Sequence, residues 1–543
     1  MPPRKRSTRQ PEQLFEVSSP KEIQAILWKA ADQLRGSMDA AQYKEFVLGL
    51  VFLKYVSDAF EERRNEILAE LEEDSVPEHR RAAFLEDRDS YIEENVFWVP
   101  EQARWGYIAD NAASAPDGVG KLIDDAMGAV MASNKALTGV LPQIFNRDNV
   151  DQNRLKGLVD LISDARFTGH GDRTAQDVLG ETYEYFLEQF ARAEGKKAGE
   201  FYTPKSVVQL LVEILEPFKG RVYDPCCGSG GMFVQANNFI EAHAGRDRTH
   251  DIAVYGQESN ERTWRLAKMN LAIHGMDPDG VGPRWADTFA DDKQPDLKAD
   301  FVMANPPFNL HPWERRTDDR RWKFGVPPAG NANYAWLQHI IAKLGERGTA
   351  GVVLANGSMS SQQSGEGEIR QAIVNADLVA CMVALPGNLF RTTAIPACLW
   401  FLAKDKGPQG AKALTDRRGE VLFIDAREMG EMINRTERVF SEADITKIAD
   451  TFHAWRGTES AKDKGLTYED VPGFAHSAKL QEIEKHDYVL TPGRYVGAPE
   501  VEEDPDAEPV DEKIARLTKE LFEHFDESAH LEETIRKKIG DIE

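Results

Sequence analysis

Apolar positions along the chain change their spacing twice, and the changes divide it into regions. In the first third they recur every three or four residues, the period of a helix buried along one face. Ile23, Ile26, Leu27, Ala30 and Leu34 keep this period behind Ser19-Pro20-Lys21-Glu22, which reads as an N-cap, a first-turn proline and an early acid. Residues 43–67 form the most apolar helical stretch. The charges that follow it mark a core helix of an all-helical domain, not a membrane span. Residues 120–133, 153–162 and 175–193 continue the helical period, and the chain becomes loop-like at 194–199. Short apolar runs then alternate with helical stretches, at 221–224, 253–257, 301–304, 351–355, 378–385, 397–403 and 421–425. That alternation predicts an α/β domain with a mostly parallel sheet and ligands at the strands' carboxyl ends.

After about residue 430 the helical period returns at 443–455, followed by the irregular stretch HDYVLTPGRYVG. An acidic, proline-containing linker leads to a charged amphipathic segment with Ile514, Leu517, Leu521, Phe522, Phe525, Leu531, Ile535 and Ile539 on its apolar stripe. Five regions are expected. They are a disordered basic arm (1–15), an all-helical N-terminal domain (16–170), an α/β domain (171–495), the linker (496–509) and a helical C-terminal tail that docks on a partner (510–543).

Composition narrows the class. At 543 residues the chain exceeds one core, and 41% hydrophobic with 29% charged residues is ordinary for a globular protein. No apolar run reaches the roughly 20 residues that span a bilayer, and the N-terminus has no apolar signal core, so the expected location is cytoplasmic. The four cysteines lack metal-site spacing, and no metal site is expected. The formal net charge of -25 is the more telling number. A protein that grips nucleic acid alone is usually basic, so action on DNA or RNA would need a local basic surface or a partner subunit.

Candidate chemistry collects at the ends of expected strands. The first runs into Asp224-Pro225-Cys226-Cys227-Gly228-Ser229-Gly230-Gly231, a glycine turn that lets backbone N–H groups approach a ligand. It is neither the dinucleotide fingerprint nor a phosphate loop, because the spacing is GSGG and no Lys-Ser or Lys-Thr follows. The second ends near Glu258, an acid placed to accept ribose hydroxyls. Asp287, after an expected edge strand, is suited to accept from an adenine amino group. The third strand is stopped by Asn305-Pro306-Pro307-Phe308. An amide, a fixed carbonyl and a ring there can hold an exocyclic amino group and stack on the base that bears it. The stretch after it is locally basic and aromatic, offering Arg315, Arg316, Arg320, Arg321 and Lys323 as phosphate contacts. Leu385 to Phe390 reads as a further pocket-wall loop.

GEFYTPKSVVQLL from Gly199, DPCCGSGGM from Asp224 and Asn305-Pro306-Pro307-Phe308 resemble, in this order, the three signatures of the amino-methyltransferases that modify adenine N6. With the helical N-terminal domain and tail, residues 15–495 or so resemble the modification subunit of a type I restriction-modification system. The resemblance implies an S-adenosylmethionine-dependent, Rossmann-like sheet domain. It implies that Glu200, Phe201, Tyr202, Thr203, Pro204 and Lys205 pack on the methionine end of S-adenosyl-L-methionine. Asp224, Gly228, Ser229, Gly230 and Gly231 would surround the cofactor, Glu258 would hold its ribose, and Asn305, Pro306 and Phe308 would form the catalytic loop around a flipped adenine. It also implies DNA as substrate, a specificity subunit that reads the sequence, a restriction subunit, and two modification subunits per specificity subunit.

Three rivals stay open at this level. Pro225-Cys226 imitates the nucleophile pair of cytosine C5 methyltransferases, but it lies in the cofactor turn. Asn-Pro-Pro also occurs in enzymes that methylate RNA guanine or a protein glutamine, more often with Tyr at the fourth position. The remaining rival is an inactive scaffold subunit.

Overall fold

The computed structural model describes residues 40–94, 96–147, 150–163, 175–194, 203–245, 248, 251–390, 395–408, 413–498 and 510–540. The expected helix at 19–34 and the basic arm lie outside the described residues. Two compact units emerge, Met1–Gly497 and Ala498–Glu543.

Within the first unit, the long helix α1 (Ala40–Glu73) is apolar between Phe46 and Val56 except at Lys54, which pairs with Asp58, and those residues are buried. A helix hydrophobic all round belongs at the centre of a bundle. Around it pack α2 (Val119–Ser133), α3 (Gln152–Ser163) and α4 (Ala175–Glu194). The sequence pattern assigns residues 175–193 to the second domain, yet Tyr183, Phe186 and Leu187 of α4 join this helical core.

The second half of this unit is built on an eight-stranded sheet of order β10-β7-β5-β6-β4-β3-β1-β2. Its strands are β1 (Gly220–Asp224), β2 (Ile252–Gly256), β3 (Ala299–Ala304), β4 (Leu344–Ala355), β5 (Val379–Ala384), β6 (Ala397–Ala403), β7 (Glu420–Asp425) and β10 (Ala475–Lys479). The pairs β1–β2, β1–β3, β3–β4 and β5–β7 are parallel, whereas β6 runs antiparallel between β4 and β5. A two-stranded hairpin, β8 (Glu431–Met432) with β9 (Arg438–Val439), lies outside the sheet.

Alternate strand residues enter two different cores. Val222, Met303, Val353, Val383 and Phe401 pack with α5 (Lys205–Leu215), α6 (Gly231–Ala244) and α10 (Glu442–Arg456). Tyr223, Val302, Val352, Met382 and Trp400 pack with α8 (Asn333–Lys343) and α9 (Glu366–Asn375). A sheet covered on both faces requires apolar residues at every position, which is why these strands read as continuous apolar runs. The helix α7 (Glu261–Ile273) joins the two halves. Trp264, Ala267 and Leu271 enter the sheet's core, while Leu266, Met269 and Ile273 enter the helical one. Glu45 of α1 reinforces this junction with ion pairs to Arg262 and Arg265, at 3.6 and 3.3 Å.

One expected element is absent. No strand forms before Asp287, where an edge strand is expected: residues 283–287 are bends and irregular chain, unpaired in the sheet. The stretch HDYVLTPGRYVG folds back on the sheet, where Tyr495 stacks on Phe423 with centroids 3.8 Å apart. No helix among the described residues is long and apolar enough to cross a membrane.

The second unit is the helix α11 (Val510–Gly540), whose residues Ile514, Leu517, Leu521, Phe522, Phe525, Leu531 and Ile535 are all exposed.

Candidate active site

Parallel strands deliver their carboxyl ends to one edge, and β1, β2 and β3 do so side by side. A cleft of about 420 Å³ opens there, within the size range of small-ligand sites. Asp224, Gly228, Ser229, Gly231, Glu258, Asp287, Thr203, Lys205 and Asn305 all line it. The three sequence signatures, distant along the chain, therefore meet at one cleft. Glu200, Phe201 and Tyr202 lie outside the described residues, and Pro204 caps the start of α5.

At the end of β1 the chain makes the expected sharp turn. Gly228 and Gly230 take φ of 54° and 81°, the left-handed region that a Cβ disfavours. Both Gly228 and Gly231 border the cleft, and a Cβ on either meets no atom within 4 Å, so the space above them belongs to the cleft. Asp224 is 2% exposed and accepts from Cys226 N–H at 3.0 Å. Burial pushes its carboxyl up to about 7 against the help of that bond, with Glu258 adding repulsion.

Glu258 is held by its neighbours. One oxygen accepts from Gly228 N–H at 3.1 Å and the other from Asn260 N–H at 2.8 Å. Asn260 in turn caps α7 by accepting from Arg262 and Thr263 N–H. The acid is thus fixed between the glycine turn and the start of a helix.

Asp287 reaches the cleft without a strand. Its carboxylate accepts from Phe289 and Ala290 N–H at 2.8 and 2.9 Å. Gln257, just past β2, secures the stretch by donating to the carbonyls of Ala286 and Asp291 and accepting from Lys293 N–H. The sequence reading missed Gln257; the only available signal was an amide where an apolar run meets the acid. It also missed Asn270, whose Nδ2 donates to the Ser229 carbonyl at 2.8 Å, and Lys44, Glu184 and Leu187, which the helical domain contributes to the cleft.

The Asn305 amide is oriented from across the cleft. Its Nδ2 donates to Thr203 Oγ1 at 2.9 Å, and its Oδ1 is buried without a partner. A buried carbonyl oxygen with no donor costs about 1–3 kcal/mol, which a ligand N–H would recover. Phe308 is half-buried, its ring edge-on to Phe390 of the expected pocket-wall loop at 5.8 Å. Asn309 adopts φ of 52°, and its backbone and side chain both bond Asn333, so the turn is pinned to α8.

The basic segment divides. Arg320 and Lys323 are exposed. Arg315 and Arg316 are exposed as well but also donate to the carbonyls of Pro327 and Ala290. Arg321 contradicts the phosphate reading: its side chain is about 10% exposed and every donor is used within the chain. Its partner Asp319 lies two residues away and draws the guanidinium inward.

Comparison with known proteins places the chain in a family. Residues 174–504 match the family model described as N-6 DNA methylase, and residues 23–162 match the HsdM N-terminal domain. The chain is 50% identical to the type I restriction enzyme HindI methylase subunit of Haemophilus influenzae, over 82% of this chain and 99% of that one. It is 39% identical to the MjaIX methylase subunit of Methanocaldococcus jannaschii, over 96% and 91%. A crystal structure of the type I restriction-modification system methyltransferase subunit from Streptococcus thermophilus superposes with a TM-score of 0.71 at 25% identity, covering 88% of this chain and 100% of that one. The chain belongs to the N-6 DNA methylase family, among the methylase subunits of type I restriction enzymes.

Proposed function

We propose that Asn305, Pro306 and Phe308 hold a flipped adenine of duplex DNA for methylation at N6, with S-adenosyl-L-methionine bound in the adjoining cleft. The observation that carries this reading is the Asn305 amide, oriented by Thr203 with its oxygen left unpartnered. The cleft fits the cofactor: carboxylates at Asp224, Glu258 and Asp287 suit its cationic groups, ribose and adenine amine, and the glycine turn admits close approach. Bound there, the cofactor supplies an electrophilic methyl on a sulfonium centre.

The chain's residues do the rest by positioning. Adenine N6 is a weak nucleophile because its lone pair is delocalised into the ring. Asn305 Oδ1 and the Pro306 carbonyl accept its two hydrogens, which draws the nitrogen toward a tetrahedral shape and frees the lone pair. Phe308 stacks on the base, which must leave the duplex to reach the site. No covalent enzyme intermediate is needed, and alignment and fixed acceptors supply most of the rate. Thr203, Pro204 and Lys205, with Glu200, Phe201 and Tyr202, close the methionine end of the cofactor, and Ser229, Gly230 and Gly231 wrap it.

The remaining assignments concern partners. A specificity subunit delivers the target base in the cytoplasm, two copies of this chain serve one such subunit, and a restriction subunit joins the assembly. The exposed apolar stripe of α11 docks on that assembly. Arg315, Arg316, Arg320 and Lys323 meet the phosphates beside the flipped base. The test is to map N6-methyladenine in DNA from cells carrying this chain and its specificity partner. Methylation at one sequence, lost in Asn305→Ala, is expected; its absence with both wild-type chains present would refute the reading.

A further inference from the structure

Arg321 has five N–H donors, and each has a partner inside the chain. Nε donates to the carboxylate of Asp319 at 2.9 and 3.0 Å, and Nη2 donates to Asp319 Oδ2 at 2.5 Å. The other two groups of bonds run to the stretch that carries Asp287 and to α8. Nη1 donates to the Thr288 carbonyl at 2.9 Å and to His339 at 3.0 Å, and Nη2 donates to the Phe289 carbonyl at 3.1 Å.

The relay continues under the sheet. A guanidinium only donates, so Nδ1 of His339 is an acceptor and its proton resides on Nε2, which donates to Tyr223 OH at 3.1 Å. His339 is fully buried, and desolvation holds it neutral by lowering its pKa well below the usual range, with Arg321 adding to the effect. Tyr223 immediately precedes Asp224 on β1. On the opposite side the Thr288 hydroxyl donates to the Pro225 carbonyl at 2.6 Å. The peptide units after Asp287 are therefore gripped from two directions and referred back to the strand that starts the glycine turn.

We propose that Arg321 is a positioning residue for cofactor binding: by holding the Thr288 and Phe289 carbonyls together it sets the direction of the Asp287 carboxylate. Two adjacent carbonyls on one planar fork cannot rotate independently. The Asp287 carboxylate is bonded to the N–H groups of Phe289 and Ala290, so it turns with the same peptide units. Arg321 also belongs to the segment that follows the catalytic loop, so whatever shifts that segment shifts the cofactor's adenine end. This inference rests on the reading that Asp287 faces that adenine.

A double-mutant cycle tests it, with S-adenosylmethionine as the probe in equilibrium titration of the full chain. Arg321→Gln is expected to weaken binding by about tenfold or more, and by less than about twofold when Asp287→Ala is already present. Arg321→Lys is expected to be as damaging as Gln, because an ammonium cannot span Asp319, two carbonyls and a histidine. Asp319→Asn, which keeps the volume and loosens only the anchor, gives the same sign if Arg321→Gln fails to fold. Full recovery in Arg321→Lys, or additive losses in the double variant, overturns the proposal. Normal cofactor binding in Asp287→Ala overturns the site reading beneath it, and the proposal with it.

Discussion

At the scale of single residues, two side chains make the sharpest demands. Asn305 is held by one bond from Nδ2 to Thr203. Thr203→Val removes the hydroxyl and leaves the shape, so methyl transfer should fall by about tenfold, by more than any accompanying loss of cofactor affinity. Single-turnover kinetics beside a binding titration measures both. Asp224 makes the second demand, through pH. Its buried carboxyl titrates at about 7, above its unfolded value near 3.9, so the protonated form favours folding. That contribution is complete below about pH 4 and is lost as pH rises through about 7, at up to about 1.4 kcal/mol per pH unit. Ligand-free protein should therefore lose stability between about pH 4 and 7 in thermal melts, with little further loss above that, and Asp224→Asn should flatten that loss; identical pH profiles would refute it.

Residues also show where sequence reasoning ends. Asp224, Glu258 and Asn305 were legible because each terminates an apolar run that period and glycine or proline punctuation mark as a strand. The inward role of Arg321 was not legible. A basic, aromatic stretch looks alike whether its arginines face solvent or carbonyls, and only the fold brings Thr288, Phe289 and His339 within reach of one guanidinium.

Elements follow the same division. The seven strands from β1 to β7 were visible as apolar runs because both faces of the sheet are covered. β10 escaped notice: AHSAK is short, has three polar residues in five with no alternation, and takes its place through antiparallel pairing with β7 rather than through its own pattern. The stretch before Asp287 misled in the opposite sense: it forms no strand and is held instead at Ala286, whose N–H donates to the Glu258 carbonyl and whose carbonyl accepts from Gln257. The helical half depends on close approach, as at Gly120, where a Cβ would lie 2.2 Å from the Phe145 carbonyl oxygen. Gly120→Ala should cost about 1–3 kcal/mol in denaturant unfolding. Unchanged stability would show that this contact yields without cost. For α11, removal of residues 498–543 should leave cofactor binding intact and abolish association with the specificity partner in analytical ultracentrifugation.

For the whole molecule, charge and architecture act together. With a formal net charge of -25, the chain carries no general attraction for DNA, and among the described residues the cleft lining includes two basic side chains, Lys44 and Lys205. Its own DNA binding should be weak at physiological salt and should strengthen on addition of the specificity partner; gel-shift titrations across a salt series would show this. The shared helix α7 and the Glu45 ion pairs bind the helical half to the sheet half, so the cleft is lined from both. The decisive measurement is Asn305→Ala in the complex with its specificity partner, comparing S-adenosylmethionine binding with transfer of its labelled methyl to target DNA. Binding within about twofold of wild type and transfer reduced by about 10²–10³-fold or more is the predicted result. Equal loss of both, or transfer that persists, would contradict the role assigned to Asn305.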